Sequence, residues 1–146
     1  MGWDSFKLIR SKSVESHTLN SEYYEISASA ANEINSALQE KRRIISIGTT
    51  SVRLLEHVAK VNSDQSLPLR TTTLLTAGSG WADTFIMQGH TFRVISSLVT
   101  NFHLPKSTLL MLTCAFVGTN LIMRAYAKAS DMKYRFYSFG DAMMIL

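Results

Sequence analysis

The chain has 146 residues, 46% of them apolar and 18% charged, which suits one domain with a real core and excludes a disordered or fibrous chain. Lys and Arg outnumber Asp and Glu by 15 to 11, and the net charge of +4 admits a polyanionic partner, RNA or a phosphorylated ligand, without naming one. No charged and then apolar segment opens the chain, so no secretory signal is expected and the cytoplasm is the default compartment.

Residues 1–21 show little apolar periodicity and mix Lys7, Arg10 and Lys12 with serines, as an irregular lead-in does. Glu22-Tyr-Tyr-Glu-Ile26 alternates with aromatic and β-branched side chains and predicts a short strand. Ser27 or Ser29 can cap the next helix, near residues 29–41, whose Ala30, Ile34, Ala37 and Leu38 share a face. Its Lys41, Arg42 and Arg43 suit the negative end of the helix dipole. Ile44-Ile-Ser-Ile47 reads as a strand, and Gly48-Thr-Thr-Ser51 leads directly into a helix near residues 51–61 with Leu54, Val58 and Val61 on one face. A strand, a helix and a further strand in that order predict parallel pairing. The turn at 48–51 offers free backbone amides and three hydroxyls at a helix mouth. It is either a plain N-cap or a seat for phosphate, ribose or carboxylate, and it is neither a Walker loop nor Gly-x-Gly-x-x-Gly.

Residues 62–70 read as a solvated loop, and 71–76 as a β-branched strand that Gly78-Ser-Gly80 breaks. Phe85-Ile-Met87, a Gln88-Gly89 turn and Thr91-Phe-Arg-Val-Ile95 predict a hairpin or strand pair. The stretch 97–112 then sets Thr100, Asn101, His103, Lys106 and Ser107 between an apolar run of strand type and one of helix type. Pro105 disfavours helical geometry at Leu104 and suits a first helical turn, so the element changes there, with Ser107 or Thr108 as cap. A strand, a polar turn and a helix outline a ligand-binding crossover; the bland reading is that Asn101 and Ser107 only cap, and that His103 is a hydrogen-bonded structural residue.

Residues 107–123 carry no charge but hold threonines, a Gly and an Asn, as a buried core helix does and a membrane span does not, and the helix is expected to run on to about Ser130. Cys114, the single cysteine, can close no internal disulfide and reads as a small core residue. The end, Tyr134-Arg-Phe-Tyr-Ser-Phe-Gly-Asp-Ala-Met143, either stacks on RNA bases and contacts phosphate or forms an amphipathic edge strand with its aromatic face in the core. The four histidines lie far apart and the cysteine is alone, so no metal site is expected, and no Gly-x-Ser-x-Gly elbow is present. The pattern predicts one α/β domain over residues 1–146, with a largely parallel sheet flanked by helices near 29–41, 51–61 and 107–130.

Ser21-Glu-Tyr-Tyr-Glu25, Gly48-Thr-Thr-Ser-Val-Arg53, Phe85-Ile with Gly89, the string from Leu98 to Leu112, and Tyr134 to Met143 stand in one order. Together they resemble the S-adenosylmethionine:tRNA ribosyltransferase-isomerases of queuosine biosynthesis. The resemblance runs from about Phe6 to the end and covers only the C-terminal part of the family protein, without its β-barrel domain. It implies a fragment, one half of a split enzyme or a degraded paralogue. Asp4 and Ser5 replace a Gly and a Thr of the family's Gly-x-Gly-Thr-Phe motif, Asn20 a His, Gln88 a Pro and Ser96 an Asp. The isolated chain is therefore expected not to complete the reaction.

The resemblance implies transfer of the ribosyl group of S-adenosylmethionine to the aminomethyl-deazaguanine wobble base, with isomerisation to an epoxy-cyclopentanediol and release of adenine and methionine. It points to His103 and Glu22 as acid or base and to Asn101 as an orienting amide. Thr49, Thr50 and Ser51 would meet ribose hydroxyls or a carboxylate, and Arg53, Lys106 and Arg135 phosphate or the methionine carboxylate. Ser21, Tyr23, Thr100, Ser107, Tyr134 and Asp141 complete the implied substrate-binding set. S-adenosylmethionine is the expected ribosyl donor with no metal, and a tRNA anticodon loop the expected partner, with a separate N-terminal chain or self-association beside it. The alternative is a non-catalytic RNA- or nucleotide-binding module.

Overall fold

The computed structural model describes residues 20–64 and 75–146. Residues 1–19 of the expected lead-in at 1–21, most of the 62–70 loop and residues 71–74 of the 71–76 strand lie outside them; Leu75 to Ala77 form no strand. The described chain is α/β. Strand β1 (Glu22–Ile26) pairs antiparallel with β3 (Gly78–Ala82), Glu22 opposite Ala82 and Ile26 opposite Gly78. The Gly-Ser-Gly stretch expected to break a strand is thus part of one. Tyr24 lies over it: a Cβ at Gly80 would stand 3.0 Å from the Tyr24 hydroxyl oxygen and 3.1 Å from its ring, so glycine is what lets the strands close.

Between them come helices α1 (Ala28–Gln39) and α2 (Thr49–Asp64), separated by β2 (Ile45–Ile47). Ser27 caps α1, its Oγ accepting from the Ala30 amide at 3.2 Å. The Asn35 side chain imitates a strand neighbour, donating to the Leu75 carbonyl at 2.8 Å and accepting from its amide at 2.7 Å. Helix α2 buries Val52, Leu55, Val58 and Ala59, together with Arg53 and Glu56, whereas Val61 is 41% exposed. Its buried face is therefore rotated from the expected Leu54, Val58 and Val61 face.

The second sheet runs β2–β4–β5, with β4 (Ser97–Asn101) parallel to β2 and β5 (Ala142–Ile145) antiparallel to β4. Among the described residues the expected parallel pairing thus holds for β2 and β4 alone, and the sheets are small and mixed rather than largely parallel. The long helix expected at 107–130 is two helices, α3 (Thr108–Val117) and α4 (Thr119–Asp131), bent by 116°. Gly118 sits between them at φ 92°, its amide donating to the Cys114 carbonyl at 2.8 Å. The bend splits the crossover into two legs, and the chain re-enters the sheet against β4. Among the described residues, no single helix is long and apolar enough to cross a membrane.

The hairpin expected across 85–95 is absent: residues 83–96 carry no strand. The amides that strand pairing would use go instead to a fully buried carboxylate, Glu56, which accepts from Arg93 at 2.8 Å, Val94 at 2.9 Å and Ile95 at 3.2 Å. Of the aromatic tail only Ala142–Ile145 pairs in a sheet, and 134–141 form a closed turn. The main core joins Val52, Leu55, Val58 and Ala59 to Ile86, Ile95, Leu98 and Leu112. A smaller one, Phe102, Ile122, Tyr126 and Ala129, lies under the tail.

Candidate active-site crevice

The carboxyl ends of parallel β2 and β4 lie side by side, Ile47 opposite Val99. Gly48 turns the chain out of β2 at φ 87°, its amide held by the Val99 carbonyl at 2.8 Å, and so carries Thr49 and Thr50 to the mouth of α2. From β4 come Thr100 and Asn101, and from the turn that follows His103, Leu104 and Ser107. Tyr137 and Ser138 of the tail close a third side. Together these residues enclose about 300 Å³, at the place where an α/β sheet offers a ligand two diverging chains.

His103 is fixed from two sides. Its backbone amide donates to the Tyr126 hydroxyl at 2.7 Å, and its Nε2 lies 2.7 Å from Thr100 Oγ1. Burial pushes its pKa down to about 4, so the ring is neutral at pH 7. Nδ1 makes no hydrogen bond to any described residue, which leaves it as the nitrogen open to a ligand. Asn101 donates through Nδ2 to the carbonyls of Gly140 at 3.3 Å and Asp141 at 3.4 Å, tying the tail to the end of β4. The Ser107 hydroxyl caps α3, accepting from the Leu110 amide at 3.1 Å and donating to the Leu104 carbonyl at 2.7 Å.

A second recess of about 210 Å³ opens beside the first, lined by Glu22, Tyr23, Tyr24, Ser51, Arg53 and neighbours, and Thr50 lines both. Here Arg53 Nη1 meets Glu22 Oε1 at 3.0 Å, with the two side chains only 7% and 14% exposed, and Arg53 Nε donates to the Thr84 carbonyl at 3.3 Å. Ser51 Oγ donates to the Ile47 carbonyl at 3.4 Å.

The expected site therefore divides. Thr49, Thr50, Thr100, Asn101, His103 and Ser107 come together in the crevice; Glu22, Tyr23, Ser51 and Arg53 line the recess next to it. Ser21, Lys106, Tyr134, Arg135 and Asp141 lie outside both. Arg135 and Asp141 bind each other, Nη2 to Oδ1 at 2.8 Å; that hydrogen bond raises the pKa of the one and lowers that of the other. Tyr137 and Ser138 are lining residues that the sequence did not single out, because the left-handed backbone at Tyr137, φ 73°, has no signature in a non-glycine residue.

The sequence profile described as Queuosine biosynthesis protein matches residues 1–145. The chain belongs to this family. Relatives in the queuosine biosynthesis family named S-adenosylmethionine:tRNA ribosyltransferase-isomerase include those of Halothermothrix orenii, 44% identical over 146 residues, and Desulforamulus reducens, 47% identical over 146 residues. Each alignment covers 100% of this chain and 40% of the relative, so the chain spans about 40% of the length of the relatives it matches. The solved structure of S-adenosylmethionine tRNA ribosyltransferase from Thermotoga maritima is 40% identical, superposes with a TM-score of 0.73, and is covered over 85% of this chain and 40% of its own.

Proposed function

We propose that this chain supplies the S-adenosylmethionine crevice of a tRNA ribosyltransferase-isomerase. The supporting observation is a half-buried, neutral His103 among three threonine hydroxyls where two parallel strands end. In this reading Thr49, Thr50 and Thr100 bond ribose hydroxyls, Asn101 holds the tail against them, and His103 Nδ1 takes or returns a proton at the ribose. A neutral imidazole at working pH can accept a proton, as general base catalysis requires. Glu22 and Arg53 neutralise one another, so the recess serves to seat polar substrate groups, with Tyr23 and Ser51 at its edge. The tRNA base to be modified enters from the side of the tail. The cytoplasm is the compartment for such a role, and a second chain, or another copy of this one, completes the assembly.

Ser96, where the resemblance sets an Asp, bears on this reading. Its hydroxyl accepts from the Ile44 amide at 2.9 Å and donates to the Ile44 carbonyl at 3.2 Å, before β4 begins. The crevice lies at the opposite end of that strand, roughly 13 Å away at about 3.3 Å per residue. The missing carboxylate therefore removes no group from the crevice. Titration with S-adenosylmethionine tests the proposal: the chain binds it, and His103→Ala weakens binding at least about tenfold, whereas equal affinities would refute it. Incubation with S-adenosylmethionine and precursor tRNA, then nucleoside analysis, separates an enzyme from a module that binds without turnover.

A further inference from the structure

The tail turn at 134–141 holds the Phe139 ring out in solvent, beyond the partly exposed rings of Tyr134 and Tyr137. At its base the Arg135 amide donates to Asp141 Oδ2 at 2.7 Å, Arg135 Nη2 reaches Oδ1 at 2.8 Å, and the Asp141 amide returns to the Arg135 carbonyl at 2.8 Å. Inside it the Gly140 amide donates to the Tyr137 carbonyl at 3.0 Å, and a Cβ at Gly140 would stand 2.4 Å from the Arg135 carbonyl oxygen, so only glycine closes the turn. Tyr137 is kept at φ 73° with its amide on the Phe102 carbonyl at 2.9 Å. Phe136 is thereby sent inward, 5.1 Å from the Phe102 ring and 5.7 Å from that of Tyr126, while Phe139 is left 96% exposed.

A lone exposed apolar residue is ordinary. Here, however, five backbone and side-chain bonds and a left-handed tyrosine fix the loop that displays it, and the two residues before it line the crevice. From this geometry we infer that Phe139 is a stacking finger for an unpaired RNA nucleobase at the mouth of the crevice. The inference rests on the proposed RNA-modifying role and adds the contact that would hold the strand.

A flat ring on a stiff support suits the face of a base, and it needs that face uncovered, as in a loop rather than a duplex. Exposed Lys133 stands just before the turn and exposed Arg135, paired with Asp141, at its base, where phosphates beside a stacked base would lie, in a chain of net charge +4. Phe139 is not among the residues lining the crevice, so the base it takes belongs to the RNA and not to S-adenosylmethionine.

The test compares three probes: an RNA hairpin with an unpaired loop, a fully paired duplex of the same stem, and S-adenosylmethionine. Phe139→Ala is expected to weaken hairpin binding roughly ten- to a hundredfold, the change for losing one stacked base, and to leave the duplex and S-adenosylmethionine affinities as they were. Phe139→Trp should keep hairpin affinity, and Phe139→Leu should behave like the alanine variant. No binding of the hairpin by the wild type, unchanged affinity in Phe139→Ala, or full affinity in Phe139→Leu would each overturn the finger. So would unchanged hairpin affinity with a loss of self-association, which would reassign Phe139 to a protein contact. Phe139-dependent hairpin binding without S-adenosylmethionine binding would support the finger and refute the crevice reading alone.

Discussion

His103 shows how far one side chain is set by its surroundings. Unfolded, its imidazole takes a proton near pH 6.5; folded, burial delays protonation to about pH 4. Between those values the unfolded chain binds the extra proton, so stability is full above about 6.5 and declines as pH falls towards 4, by at most roughly 3 kcal/mol. Melts across that window should show the decline and a flatter profile for His103→Gln; the same slope in the variant would contradict it. Glu56 acts lower on the scale. Burial would raise its pKa, but His90 and the amides of Val94, Arg93 and Ile95 outweigh that and hold it below the ordinary 4.5, so its contribution is present above 4.5 and lost in stronger acid. The position of His103 at a strand-to-helix turn was legible from Pro105 and the neighbouring polar residues. Its bond to Tyr126, 23 residues on, was not, because local pattern carries no trace of a partner two elements away.

At the scale of elements, the sequence marked helix starts well where a cap is chemical: Ser27 and Ser107 both accept the amide three residues on. It failed where one residue redirects the chain. Gly118 looked like a tolerated interruption in an apolar helix, yet it divides α3 from α4. No atom stands within 4 Å of a Cβ placed there, so Gly118→Ala meets only the backbone strain of φ 92° and ψ 142° and should lose about 1–3 kcal/mol in a denaturant titration. Residues 85–95 had the β-branched and aromatic composition of strands, but α2 supplies a carboxylate that takes their amides. Glu56→Ala strands three amide donors in the interior and should cost about 3–5 kcal/mol, with the largest rise in hydrogen exchange at Arg93 to Ile95. A loss below 1 kcal/mol would show that water replaces the carboxylate.

At the scale of the molecule, the one parallel pair among the described residues, β2 with β4, brings the turns at 48–50 and 100–107 into one crevice. The antiparallel β5 then adds what the pattern hid, since its leading turn delivers Tyr137 and Ser138 to the same crevice. Arg135, expected at a phosphate, also forms with Asp141 the clasp that shapes this turn. With net charge +4, binding to an RNA hairpin should weaken steeply as salt rises, while S-adenosylmethionine binding changes little; a flat RNA response would count against contact with phosphates. The most direct test of the proposed crevice is the nuclear magnetic resonance of the histidine rings during titration with S-adenosylmethionine. The His103 ring signals should shift and saturate while those of His57 and His90, which line neither cavity, stay in place. Saturating ligand that leaves His103 unmoved would contradict the account.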